Sequence, residues 1–118
     1  MAKPTKRNIR TALRAAKLAE RVLPYFEKKY PKDKRPRKAI VALRAWARTG
    51  VFSMSVIRKA SLAAHAAARK APENSAARAA AHAAGQAAAV AHVVTHAGGV
   101  EYYAKKAVKL AKQRNRLK

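Results

Sequence analysis

The stretch Ala81–Ala97, AHAAGQAAAVAHVVTHA, carries no fixed charge, in a chain of 118 residues that holds 28 Lys and Arg. The uncharged run extends from Ala79 to Val100. About 20 residues is a membrane-spanning length, so the medium around this run decides the fold. Its composition is mostly alanine, with His82, Gln86, His92 and His96 inside it and hardly a leucine, isoleucine or phenylalanine. A bilayer would gain little from such a segment and would have to desolvate four polar groups. A helix buried among other helices is therefore expected, with no membrane partner.

Outward from this run, helix signals dominate: alanine is the best helix former and β-branched runs are short. Thr5 or Asn8 can cap a first helix to about Leu23, and Pro24 then kinks it or opens a short helix through PYFEKKY. PKDKRP reads as a turn with Asp33 as an N-cap. PRKAIVALRAWART follows and stops at Gly50, with Ala39, Ile40, Leu43, Trp46 and Ala47 at helical spacing on its inner face. Ser53 or Ser55 caps VIRKASLAAHAAARKA, which Pro72 ends. Asn74 or Ser75 caps a helix expected to continue to Ala97, where Gly98-Gly99 breaks it before VEYYAKKAVKLAKQRNRLK. The expected fold is all-α, a single-domain bundle of five to six helices over residues 1–118 around a central Ala-rich hairpin. Residues 1–7 and 113–118 are expected to be flexible basic tails.

Only five acids (Glu20, Glu27, Asp33, Glu73, Glu101) oppose the cations, leaving a formal charge of +23. A fold with that imbalance repels itself, which points to a polyanionic partner. The cations also fall in order. Arg10, Arg14, Lys17 and Arg21 are spaced four, three, four, a single stripe on a helix, and Lys105, Lys109, Lys112 and Arg116 repeat the spacing near the other end. Lys32, Lys34, Arg35 and Arg37 cluster in and around the proline-bounded loop. Stacked like charges cost stability unless phosphates lie alongside. The function expected from charge is non-enzymatic, sequence-nonspecific binding of DNA or RNA by phosphate neutralisation through these twelve residues. A nucleoid- or ribosome-associated cytoplasmic protein follows from that reading. No zinc-finger, RNA-recognition or KH signature offers base readout, and the aromatics are too scattered for a stacking platform. Ala-faced helices can also pair between chains, so a homodimer is a further expectation.

The absence of cysteine excludes disulfides, thiolate metal sites and a cysteine nucleophile. His92 and His96 are one helical turn apart, a spacing that can bind zinc, with a third ligand to come from His82, His65 or Glu101. There is no HExxH glutamate and no carboxylate cluster beside them. The reading adopted is therefore structural: His65, His82, His92 and His96 as neutral core histidines that pin a featureless alanine interface, beside a core Trp46, with no metal or other cofactor.

LPYFEKKYPKDKRPRKAIVALRAWAR, RKASLAAHAAARKA and AARAAAHAAGQAAAVAHVVTHAGGVEYYAKKA together resemble the Imm-5-like putative immunity protein family. The resemblance runs from about Ala12 to Val108. It is carried by Leu23-Pro24, Pro36-Arg37-Lys38-Ala39, Trp46-Ala47, Ala64-His65-Ala66-Ala67, and His82, His92 and His96 with Tyr102-Tyr103 behind them. It implies a small all-helical protein, and, as the alternative function, one that binds and blocks a toxin domain without catalysis. The cationic excess departs from that pattern and would require an acidic protein partner, because fold alone does not fix function.

Overall fold

The computed structural model describes residues 4–116, and the outermost residues expected as basic tails, 1–3 and 117–118, lie outside the described set. Five helices follow one another: α1 (Lys6–Glu27), α2 (Arg35–Thr49), α3 (Met54–Ala68), α4 (Ala76–Val90) and α5 (His96–Arg116). Lys6 and Arg7 thus open a helix, and residues 113–116 close one.

Short polar side chains start three of the helices. Thr5 Oγ1 accepts from the Asn8 N–H at 3.1 Å, Ser53 Oγ from that of Val56 at 3.4 Å, and Ser75 Oγ from that of Arg78 at 3.1 Å. Gly50 ends α2 at φ 71°, and its N–H donates to the Trp46 carbonyl at 2.8 Å. Asn74, at φ 58°, turns the chain between α3 and α4.

Three expectations are corrected. Pro24 does not open a second helix but lies inside α1, which continues to Glu27; it is on the exposed side, while Leu23 and Phe26 on either side of it are buried and hold the helix against the core. Asp33 is not the N-cap of α2, which is Lys34; Asp33 Oδ1 accepts instead from the Arg35 N–H at 3.1 Å, one position earlier. Most consequentially, α4 ends at Val90 rather than Ala97, and Gly98-Gly99 lie inside the first turn of α5. The run Val93-Val94-Thr95 supplies the reason, since consecutive β-branched residues weaken a helix. Gly99 is there for packing: a Cβ on it would stand 2.7 Å from Gln86 Oε1. A Cβ on Gly98 would meet nothing within 4 Å. Gly98→Ala is therefore expected to raise stability by about half a kcal/mol through helix propensity alone, measurable by urea denaturation.

The bundle is built around α4. Ten of its fifteen residues are buried, nearly all of them alanine, and it packs against each of the other four helices. Small side chains let the axes approach closely and substitute for the bulk this core lacks. The larger buried residues, Phe26, Leu23, Ile40 and Leu43, come from α1 and α2, and Trp46 is buried as expected. Around α4 the neighbours run α3, α2, α1, α5, each packed on the next. The ring does not close, because α3 and α5 make no contact among the described residues. Among those residues no helix is long and apolar enough to cross a membrane.

Candidate functional site: a basic surface and an open slot

The stripe on α1 forms as its spacing implies. Arg10, Arg14, Lys17 and Arg21 are all exposed, opposite the buried face of Ala12, Ala15, Ala16, Ala19 and Val22. No ion pair involves any of the four among the described residues. Lys109, Lys112 and Arg116 on α5, and Lys32 and Lys34 in the loop, are likewise exposed and unpaired there.

The acids are used more fully than their positions in sequence suggest. Arg35 is clamped to Asp33 (Nη2–Oδ2, 2.7 Å), Arg37 to Glu27 (Nη2–Oε1, 2.6 Å), and Lys105 pairs with Glu101 at 3.0 Å. Nine of the twelve expected contact residues thus remain uncompensated, and these three are partly neutralised. Arg44 forms a further two-pronged clamp on Glu20, 2.6 Å on each side, and ties α2 to α1. The guanidinium hydrogen bonds hold the carboxyls of Glu20, Glu27 and Asp33 below their ordinary range. A depressed folded-state pKa stabilises at neutral pH, and that stability fades as pH falls through it. Glu20→Gln is expected to cost less than about 1 kcal/mol at neutral pH, because both partners are about a third exposed. The difference from the parent protein should shrink toward zero in an acid urea titration.

The histidines lie where α4 is uncovered. Arg78, His82 and Gln86 are spaced four and four, a half-buried stripe on a helix whose other faces are alanine. This stripe faces the gap between α3 and α5. From α3, His65 brings its Nδ1 to 2.7 Å from His82 Nδ1, so one ring donates its N–H to the other's lone pair. From α5, Tyr103 packs on His82 with ring centroids 5.1 Å apart. His96 Nδ1 lies 2.7 Å from Gln86 Oε1, and Ser61 Oγ donates to the Gly85 carbonyl at 2.9 Å. Burial pushes His65 and His82 toward the neutral form; His82, also beside His65, Arg78, Arg69 and Lys106, falls to about 4.

The expectation of four core histidines holds only in part. His65, His82 and His96 are half-buried and hydrogen-bonded, as pins of a small-residue interface. His92 is exposed and packs on Phe52, because α4 ends before it and leaves it on the connecting turn. For the same reason His92 and His96 do not share a helix. Among the described residues no three metal-ligating side chains come together.

Two cavities lie along the gap. One, of about 270 Å³, is lined by Glu73, Arg78, His82, Tyr103 and Lys106 among others; the other, of about 400 Å³, by Met54, Arg58, Ser61, Leu62, His92 and His96. Neither Arg78 nor Lys106 is among the twelve contact residues expected from the sequence, although Lys106 stands beside the Tyr102-Tyr103 pair. The i, i+4, i+8 spacing of Arg78, His82 and Gln86 was the available signal.

No curated protein and no solved structure matches the chain. One family model does, over residues 4–118: the chain belongs to the family described as Imm-5 like putative immunity protein.

Proposed function

We propose that the protein is an immunity-type binding protein that neutralises a toxin domain by covering an acidic face of it, without catalysing a reaction. Family membership over residues 4–118 is the observation that carries this reading. The surface supports the choice of an acidic partner. Exposed Arg10, Arg14, Lys17 and Arg21 on α1, and Lys109, Lys112 and Arg116 on α5, form no ion pair among the described residues, and α1 and α5 pack against each other. Complementary charge steers encounter and selects against other cationic partners. The test is co-expression with the toxin domain encoded nearest to this gene. Growth should be restored by the parent protein and reduced when Arg10, Arg14, Lys17 and Arg21 are all replaced by Glu.

The same uncompensated cations favour a second reading, nonspecific binding of nucleic acid in the cytoplasm, including nucleoid or ribosomal association. If about seven of them meet phosphates, log K for duplex DNA should fall with log salt at a slope near −6. Reversing the α1 stripe should flatten that slope by roughly 3 to 4. Binding to DNA and RNA that is absent, or indifferent to salt, removes this reading and leaves the first untouched.

A further inference from the structure

We infer that the cavity between the α3–α4 turn and α5 is an oxyanion site that takes a phosphate group, with Arg78 and Lys106 as its principal donors. The cavity lies at one end of the gap left by α3 and α5, and the other residues lining it are Glu73, Asn74, Ser75, Ala79, His82 and Tyr103.

Arg78 and Lys106 are both half-buried, and neither is in an ion pair among the described residues. The other two half-buried arginines among the described residues, Arg35 and Arg44, are each clamped to an acid at 2.6–2.7 Å, and the remaining unpaired arginines are exposed, so a half-buried guanidinium without a carboxylate sets Arg78 apart. Arg78 is also held in place. Its Nη1 lies 3.5 Å from the Ala71 carbonyl, which orients the guanidinium and leaves its other N–H groups free. Lys106 Nζ sits 6.0 Å from the centre of the Tyr102 ring. The wall opposite is rigid, since Tyr103 packs on His82 and His82 is bonded to His65.

Donors drawn from different elements, a guanidinium on α4, an ammonium and a phenol on α5 and the Asn74 amide in the turn, suit a tetrahedral oxyanion. A flat carboxylate needs only a guanidinium fork. About 270 Å³ is ample for a phosphate group and leaves room for what it is attached to. The field at His82 agrees with this assignment: Arg78, Arg69 and Lys106 all act on it as positive charges, in addition to its burial and to His65. Glu73 opposes the anion. It is exposed, lines the same cavity, and forms no ion pair among the described residues despite the two cations. The inference does not rest on the proposed function, because the cavity is separate from the α1 stripe.

The experiment is calorimetric titration of the full chain with inorganic phosphate at constant ionic strength, with NMR observation of the His82 ring. Saturable one-to-one binding is expected, with the His82 pKa raised by roughly one unit as the anion arrives. Lys106→Gln and Arg78→Gln should each weaken binding about tenfold. Lys59→Gln, which removes an exposed cation of α3 outside the cavity, should leave it unchanged. Glu73→Gln should tighten binding about threefold, a gain that misfolding cannot mimic. A nucleoside monophosphate and a short single-stranded oligonucleotide, titrated in parallel, show whether the group is accepted free, on a small molecule or within a nucleic acid. Unsaturable binding, an unmoved His82, or equal losses in Lys106→Gln and Lys59→Gln would each overturn the site and assign the effect to diffuse charge.

Discussion

Gly85→Ala should destabilise the protein, although it places the best helix former in the middle of a helix. A Cβ at position 85 would stand 2.6 Å from His65 Nε2 and under 3 Å from two ring carbons. The His65 ring cannot simply swing away, because its Nδ1 is bonded to His82 and the backbone carbonyl of Gly85 is itself held by Ser61. Overpacking of this kind costs about 1–3 kcal/mol, against about 1 kcal/mol gained in helix propensity. A net loss of up to about 2 kcal/mol is expected, as much as several degrees in Tm for a chain of this size. The decisive comparison is made in a His65→Ala background. With the ring gone, the same Gly85→Ala substitution should become stabilising by up to about 1 kcal/mol, a change of sign that a double-mutant cycle reads directly. Equal effects in both backgrounds would mean that the His65 ring does not set the spacing of α3 and α4.

Acid should loosen the bundle before its carboxylates titrate. An unfolded histidine binds its proton near 6.5, whereas folded His82 does so only near 4. Between those values the unfolded state holds more protons, so stability falls as pH falls across that window and levels off below it. His65 is depressed in the same direction by burial and acts with the same sign. Allowing for the partial exposure of His82, its share is on the order of 2 kcal/mol. His82→Asn keeps a hydrogen-bonding group beside His65 and removes the titration. Its urea stability should be flatter than the parent's between pH 6.5 and about 4, with the ordinary carboxylate loss still present below. Identical pH profiles would place the acid sensitivity elsewhere.

Much of the helix plan was legible because local chemistry sets it. Thr5, Ser53 and Ser75 cap as short hydroxyl side chains do, Gly50 takes the left-handed turn, and the apolar spacing of α2 gave its buried face including Trp46. The end of α4 was not legible in the same way. Gly98-Gly99 reads as a helix breaker, yet Gly99 serves a close approach to Gln86, and the real break falls on Val93-Val94-Thr95 without glycine or proline. Glu20 and Arg44 are 24 residues apart, so their clamp follows from how α1 and α2 pack rather than from any local pattern. The gap between α3 and α5 is likewise a product of topology. It gives the uncharged run its physical sense: alanine where α4 is enclosed, and Arg78, His82 and Gln86 along the strip the other helices leave bare.

The central functional claim is that an uncompensated basic face engages an acidic toxin domain. Isothermal titration of the purified protein against a candidate toxin domain taken from a neighbouring gene tests this most directly. A one-to-one complex is predicted, with affinity that drops as salt rises and drops again when Arg10, Arg14, Lys17 and Arg21 become Glu. No complex at low salt, or a complex of full affinity with that stripe reversed, would contradict it.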